Sequence, residues 1–512
     1  MECLFEKYLG VKIKGTERNL KEVFARFYSS DQHTKLWLRT LLQQTQLKSN
    51  SKSVTLRLEG NKHYLQHNFG ESLQCYTKAL CLATYDVGLI MSNRSALFFM
   101  TKHYQDCLSD IQHALRHDLP DRIKLKLLIR QVKCFAILQL EVELKNALDN
   151  TINFLSTYAC ADRDKAKCEI ATAATIKDTA RPKSVVKQIP SLKANDSFLF
   201  AASTIRLNYD KVRGRHVVAK QKLEVGDILF VEKPFVFAPI FNEKKELSVT
   251  RCYNCLKLIY SSIPCQECIK CIFCNEECRD NSWKEFHQWE CRGMQSDLWY
   301  HLGIGFPALK GLIKGLPSGF CTLNSSYEAD TVKFGDELDN YPYFNKLITN
   351  LSKMDDIIPI TIIACVIVSY LKEYTNFFKS ISLAEYTSHE LITLVGARLI
   401  KHVAQLQCNS SVICAKFNNE DTVYTAEELP SLACGVYPSI GMMNHSCKPN
   451  IKIEYFGQVS VVKAAEEIYP DKEIFNCYGI DYRCEDKKTR QEHCQQLYFF
   501  TCNCEICNVS KT

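Results

Sequence analysis

The sequence predicts an α+β multidomain protein, and three observations carry that prediction. A helical motif recurs at a spacing of 35 residues near the N-terminus. Eight of the 27 cysteines crowd into residues 252–291. Runs with the two-residue alternation of β-strands stand on both sides of that crowd. The expected order is helical repeats, then a β-rich fold split by a cysteine module and a helical insert, then a second cysteine site that closes the chain.

Composition removes several alternatives. Hydrophobic residues make up 46% and charged residues 24% of the 512, which excludes wholesale disorder. A net charge of +7 is weak over that length and makes no case for nucleic acid. Met1-Glu-Cys-Leu-Phe-Glu-Lys does not read as a signal peptide. The longest apolar run, Ile357 to Leu371, has fifteen residues. A membrane helix needs roughly 20, so a buried helix and no membrane contact are expected. Clustered cysteines behind no secretory leader read as metal ligands, not disulfides.

Residues 1–55 read as a helical extension. The repeats occupy 56–159: Phe69, Ser72 and Ala79 are answered by Tyr104, Cys107 and Ala114, each 35 residues on. A period near 34, with small residues where helices cross, is the tetratricopeptide (TPR) pattern. A weaker third unit runs from Lys126 to Ala147. Basic, proline-punctuated residues 160–197 read as a linker. In 198–251, His216 to Glu232 reads as two strands around Val225-Gly226-Asp227. Residues 252–291 are the cysteine module, and 292–407 an apolar helical insert. Strands return in 408–495, where Asn450 to Lys463 alternates as a hairpin with Gly457 at its turn. Residues 496–512 hold the last cysteines.

The module offers four ligand pairs: Cys252 and Cys255, Cys265 and Cys268, Cys274 and Cys278, His287 and Cys291. Zinc takes four N or S ligands in a tetrahedron, so four pairs make two sites. So small a module cannot bury enough apolar surface, and metal substitutes for core. Cys271 is a ninth thiol or imidazole in the window. Near the end, Cys502, Cys504 and Cys507 are one ligand short, and Cys447 is the expected fourth. The total is three structural zincs, each closed by four protein ligands, so none is expected to be catalytic.

The module, with Phe273 before Cys274 and Trp283 before His287, resembles a MYND finger. That resemblance implies interleaved sites: Cys252, Cys255, Cys274 and Cys278 on one zinc, and Cys265, Cys268, His287 and Cys291 on the other. Asn444-His-Ser-Cys-Lys-Pro-Asn450 resembles the NHSC-x-PN motif of SET-domain lysine methyltransferases. Arg213-Gly-Arg215, Glu473-Ile-Phe-Asn-Cys-Tyr478 and Tyr498-Phe-Phe-Thr-Cys fall in that family's order, as do Cys408-Asn409-Ser410 and Gly435-Val-Tyr-Pro-Ser-Ile. A MYND finger inside a split SET fold, behind TPR repeats, resembles the TPR-first branch of the SET and MYND (SMYD) family. The resemblance covers about residues 205 to 507.

It implies an S-adenosylmethionine (SAM)-dependent protein-lysine N-methyltransferase acting on histone or non-histone proteins with an exposed lysine. Asn444 and His445 would hold the two ends of SAM. Arg213, Gly214 and Arg215 would approach its carboxylate, Asn409 would anchor its methionine end, and Phe500 would pack on adenine. Tyr478 and Tyr498 would line the lysine channel as catalytic residues and touch the cofactor. There are departures. Asp471 replaces a glycine, Lys448 replaces a common Asp, and His216 stands where a small residue is common and is expected to crowd the cofactor. The chain is expected to lack the C-terminal helical domain of compact members, because it ends five residues after Cys507.

A second expectation concerns binding. TPR units that grip acidic chaperone tails use basic and amide side chains as a carboxylate clamp. Arg57, Asn61, Asn93, Lys126 and Arg130 stand near those positions. MYND fingers bind proline-containing peptides. The alternative to the enzyme is therefore a TPR/MYND adaptor for chaperones or transcriptional repressors, with weak or absent methyltransferase activity. Nucleic acid is not an expected partner. The expectation is a monomer in cytoplasm and nucleus.

Overall fold

The computed structural model describes residues 13, 19–158, 163–176, 189–196, 198–242, 244, 247, 250–316, 344–345, 347–381, 386–414, 431–480, 482–483 and 485–508. Six helices follow one another as consecutive pairs: Asn50–Leu65 with Phe69–Leu82, Val87–Met100 with Tyr104–Ala114, and Asp121–Leu138 with Glu141–Thr157. Connections of two or three residues force the partners of each pair to run antiparallel.

The 35-residue recurrence has a packing cause. Ser72 Oγ donates to the Gly60 carbonyl at 2.9 Å, and Cys107 Sγ lies 3.1 Å from the Ser95 carbonyl, the same contact one repeat later. Ala79 and Ala114 are both fully buried at helix crossings. Gly60 is required by close approach, since a Cβ there would sit 2.7 Å from the Tyr76 ring.

One expectation fails in the presumed linker. Residues Arg163–Thr175 form a helix against Asp121–Leu138. Ala166, Ile170 and Ala173 are buried with Leu125, Ile129 and Val132 in a separate small core. Spacings of four and three put those three on one helical face. The lysines around them obscure that stripe. The other linker residues lie largely outside the described set.

The strands, in chain order, are β1 Ile205–Asp210, β2 Gly214–Ala219, β3 Ile228–Glu232, β4 Val236–Pro239, β5 Ile263–Pro264, β6 Ile272–Phe273, β7 Ser410–Cys414, β8 Ser431–Val436, β9 Asn444–His445, β10 Ile451–Phe456, β11 Val459–Ala464 and β12 Glu473–Asn476. One sheet runs β1-β2-β12-β9, with β9 parallel to β12 and the rest antiparallel. The others are β10-β11-β3, β4-β8-β7 and the small β5-β6 ladder. The hairpin β10–β11 turns at Gly457, whose φ is +62°. The strands on either side of Val225-Gly226-Asp227 do not form a hairpin. β2 pairs with β1 and β12, and β3 pairs with β11, so the turn carries the chain from one sheet to another. β1 also begins at Ile205, before the strand pattern becomes legible at Arg213.

The insert contributes helices Gly305–Gly315, Ile358–Tyr374 and Ser388–Asn409. Ile358–Tyr374 carries the long apolar run and is buried nearly throughout. Among the described residues no helix is long and apolar enough to cross a membrane. The N-terminal extension is not an isolated appendage. Its helix Leu20–Ser30 packs on Ser388–Asn409, with the Phe24 ring in the space left by Gly396. A Cβ at Gly396 would come within 2.3 Å of that ring. One contiguous hydrophobic core therefore runs from Ile13 to Ile474 through the repeats, module and sheets.

Candidate functional site

Three segments distant in sequence meet at one cleft of about 1380 Å³. The first is Arg213, at the end of the β1–β2 turn, with Arg215 near the start of β2. The second is the β9 segment. It is aimed by Glu232 at the end of β3, whose carboxylate accepts the Ser439 and Ile440 N–H groups at 2.9 and 3.1 Å. The third is the turn Cys494–Tyr498, a wide π-helical turn. It ends at Phe499 with φ +59°, a conformation a bulky residue seldom adopts. That reversal brings Phe500 back toward β9.

The wall of the cleft is a ring cluster. The Tyr478 and Tyr498 rings lie 4.8 Å apart, His445 lies 5.2 Å from Tyr478, and Phe500 lies 5.9 Å from His445. The Tyr478 N–H donates to His445 Nδ1 at 3.0 Å, so that nitrogen is unprotonated. Burial, with the nearby His493 and Arg490, pulls the His445 pKa down to about 4, and the ring is neutral near pH 7. Burial pushes the Tyr498 phenol up to about 12 and raises Tyr478 as well. Both hydroxyls therefore stay protonated. Tyr478 donates to the Met443 carbonyl at 2.9 Å and Tyr498 to the Tyr478 carbonyl at 3.3 Å.

Three groups of four ligand atoms converge, each within 4.8 Å: Cys252, Cys255, Cys274 and Cys278; Cys265, Cys268, His287 and Cys291; Cys447, Cys502, Cys504 and Cys507. Their fit to zinc is decided by spacing. Cys255–Cys274 and Cys265–Cys291 are 3.9 Å apart, and Cys447 lies 3.8 Å from Cys502 and 3.6 Å from Cys507. A disulfide needs about 2.05 Å. Four sulfurs about 2.3 Å from a common centre lie about 3.8 Å from one another. The donor sets therefore fit tetrahedral zinc and do not fit disulfides. Cys271, though fully buried, belongs to none of the three groups. A fourth convergence, Glu59, His63 and Cys75, has only three ligands, one of them exposed.

The second group has a built surround that its spacing does not announce. The π-helical turn Trp283–His287 points His287 Nε2 at Cys265 and Cys268, 3.3 and 3.5 Å away. His287 Nδ1 lies 3.7 Å from the fully buried carboxylate of Glu290. Tyr253 donates to Glu290 at 2.6 Å, and Lys310 lies 3.4 Å from it. Lys310, itself buried, is ringed by Phe286, Tyr253, Phe237 and Phe306 at 4.8–5.4 Å. Burial alone would raise the Glu290 carboxyl, but Lys310, His287 and Tyr253 hold it below its ordinary value. At 3.7 Å the carboxylate is an electrostatic neighbour of the ring and not a hydrogen-bond acceptor for it.

The description SET domain matches residues 214–479, more than half of the chain. The chain belongs to the SET-domain family. It is 25% identical over 533 residues to human protein-lysine N-methyltransferase SMYD4, covering 88% of this chain and 66% of that protein. The chicken protein of the same name is 26% identical over 505 residues, covering 84% and 68%. Zebrafish N-lysine methyltransferase SMYD2-A is 40% identical over 113 residues, 22% of this chain and 23% of that protein. The chain thus spans about two-thirds of the length of the SMYD4 relatives.

Eight of the nine residues expected at the cofactor line the SET cleft; Gly214 opens β2 with φ +66°. Several nevertheless spend their polar groups within the protein. Arg213 is bound to Asp210 at 2.8 Å and Glu473 at 3.3 Å, so it braces β1 and β12 and is not poised for a carboxylate. The Asn444 amide donates to the Arg213 carbonyl and Glu473 at 3.1 and 2.9 Å. The Asn409 amide donates to the Gln405 and Ile348 carbonyls at 2.6 and 2.9 Å, capping its own helix. His216 does not crowd the SET cleft: its ring is buried with Nδ1 2.9 Å from the Gly214 carbonyl. Arg215 remains on the wall. Sequence reasoning missed His493, Glu290 and Lys310, which stand in no motif quoted above, and it gave Glu473 no role beyond opening the Tyr478 motif.

The five clamp residues lie on the first helices of the three pairs. Asn93 donates to Asn61 Oδ1 at 2.9 Å, and Arg130 donates to the Ser92 carbonyl and the Ser95 hydroxyl at 3.2 and 2.7 Å. Lys126 is exposed, and Arg57 Nε is buried with no hydrogen-bond partner.

Proposed function

We propose that this chain is an S-adenosylmethionine-dependent protein-lysine N-methyltransferase, acting on a lysine exposed on a histone or non-histone protein. The observation that carries the reading is the convergence of His445, Tyr478, Tyr498 and Phe500 into one ring cluster on a SET cleft. When bound, SAM supplies an electrophilic methyl on a sulfonium centre. Arg215, His445 and Phe500 would hold it, Asn444 serving through its backbone and the strands it braces, and Asn409 through its backbone at the helix end it caps. The cleft exceeds the roughly 300–1000 Å³ of a small-ligand pocket, which leaves room for an entering lysine.

Tyr478 and Tyr498 orient the amine and narrow the channel. Neither acts as a phenolate base near pH 7, because burial raises both phenols. A lysine of ordinary pKa near 10.4 therefore releases its proton to water before or during entry. What the residues contribute is alignment and exclusion of water.

The three ligand groups would hold three structural zincs, two in a MYND finger within the module and one closing the SET fold. The helical pairs would be TPR units. Arg57, Asn61, Asn93, Lys126 and Arg130 would take the carboxylates of an acidic chaperone tail, a role supported by the unpartnered Arg57 Nε and by the exposure of Lys126. The finger would take a proline-containing peptide. The protein would act as a monomer in cytoplasm and nucleus.

Calorimetric titration of SAM into zinc-replete protein tests the main reading, with Asn444→Ala as control. Saturable binding that the variant loses is expected, and no binding to folded, zinc-loaded protein would sink it. Tyr478→Phe should keep SAM affinity within about twofold while lowering turnover about 10²-fold, the scale of a displaced reacting group. For the clamp, Lys126→Ala should weaken binding of an acidic pentapeptide ending in a free carboxylate by about tenfold, as one charge-assisted bond implies. Unchanged affinity by fluorescence anisotropy would exclude it.

A further inference from the structure

The Tyr478 carbonyl oxygen receives two donors. Tyr498 Oη donates to it at 3.3 Å, and His493 Nε2 lies 3.0 Å from it. The first contact is long for O–H···O, which centres near 2.7–2.8 Å; the second is ordinary for N–H···O. A carbonyl can only accept, so His493 carries its proton on Nε2. The geometry is held from both sides. His493 is the last residue of helix Lys487–His493, and its ring lies 5.9 Å from Tyr498. Across from it the chain leaves Tyr478 through Gly479 at φ +107°, where a Cβ would stand 3.5 Å from His493 Nε2.

We propose that His493 is a positioning residue for methyl transfer: its Nε2–H holds the Tyr478 carbonyl, and so frees the Tyr498 hydroxyl to turn toward the incoming lysine amine. The inference rests on the methyltransferase reading above. Its logic is one of satisfaction. A half-buried carbonyl left without a donor is costly, so a lone Tyr498 hydroxyl would be retained by Tyr478. With His493 in place the carbonyl keeps a donor when the hydroxyl leaves. The amine then meets a hydroxyl whose present bond is already weak. His493 and Tyr498 both line the cleft, so the exchange takes place at its wall.

A double-mutant cycle tests this with labelled SAM and the acceptor that labelled SAM identifies, alongside SAM calorimetry. His493→Ala should lower kcat about tenfold with SAM affinity within about twofold of wild type. His493→Gln, whose amide can donate to the same oxygen, should recover most of the loss. In a Tyr498→Phe background, His493→Ala should cost less than about twofold more, because no hydroxyl remains to be freed. A second readout needs no acceptor. In protein carrying 13Cζ-tyrosine, with Tyr498→Phe providing assignment, His493→Ala should shift the Tyr498 resonance as the hydroxyl tightens on the carbonyl, and His493→Gln should not. Independent, additive losses, an unmoved resonance in His493→Ala, or equal damage from Gln and Ala would overturn the proposal. Wild-type protein that binds no SAM would instead overturn the methyltransferase reading itself, and the proposal with it.

Discussion

Replacing Cys447 with serine is expected to remove one equivalent of zinc and abolish detectable SAM binding. Cys447 stands three residues after Asn444 and within 3.6–3.8 Å of Cys507 and Cys502. The same sulfur lies 3.4 Å from His445 Nε2. A metal here would tie β9 to the segment that carries Tyr498 and Phe500, so both walls of the cleft hang on one tetrahedron. Cys447, Cys502 and Cys507 form a small buried cluster with Cys494, and Cys504 and Phe500 pack against it. Little apolar surface could replace the metal. Structural zinc sites carry apparent binding free energies of about 10–16 kcal/mol, far more than so small a cluster can supply. Elemental analysis should read three zincs in wild type and two in Cys447→Ser. Cys271→Ser is the control, since that buried thiol belongs to none of the ligand groups, and it should retain all three. A two-zinc variant that binds SAM with wild-type affinity would show that the cleft does not depend on this site.

The parts of the site legible in sequence are those whose chemistry is local. Cys252 and Cys255, or Cys502 to Cys507, declare themselves because a metal needs close ligand pairs and a tight turn supplies them. Motif residues such as Asn444 and Tyr478 were found the same way, as strings. What those residues do with their side chains was not legible. Arg213 and Asn444 look like ligand-binding groups, yet Glu473 engages both. That partner is 260 positions from Arg213 and is brought near only because β12 inserts beside β2. His493 and Lys310 carry no signal, since a histidine at a helix end and a lysine in an apolar helix are ordinary until the fold supplies a carbonyl and four rings. In the fold, the 35-residue period rests on one contact made twice, by Ser72 and by Cys107. The helix over 163–175 was obscured by its own lysines. The packing of Phe24 against Gly396 joins residues 372 apart, and no periodicity encodes it.

The largest stability effect is expected at Asp110. Arg94 and Asp110 form a two-bond ion pair at 2.8 Å with both side chains essentially inaccessible. The pair does not stop at the helical repeats. Arg94 donates to the Ser262 carbonyl at 2.7 Å, the Ser261 hydroxyl donates to Asp110 at 2.8 Å, and the Ser261 N–H donates to Asp106 at 3.0 Å. Helices Val87–Met100 and Tyr104–Ala114 are thereby fastened to the strand leading into Cys265. The same two regions also meet at Arg116 and Glu276, 2.9 Å apart but about half exposed. An exposed pair is worth about 0–1 kcal/mol, whereas removing one partner of a buried pair costs about 3–5 kcal/mol. Asp110→Ala should therefore lower the denaturant midpoint of the repeats and the cysteine module together, while Glu276→Gln should leave both nearly unchanged. The loss comes from a stranded guanidinium more than from a lost attraction. The double variant Arg94→Met/Asp110→Leu, which strands no charge, should consequently be more stable than Asp110→Ala alone. Equal destabilisation by Asp110→Ala and the double variant would mean that the pair contributes shape and not charge compensation. Separate unfolding of the two regions in wild type would show that the buried network does not join them.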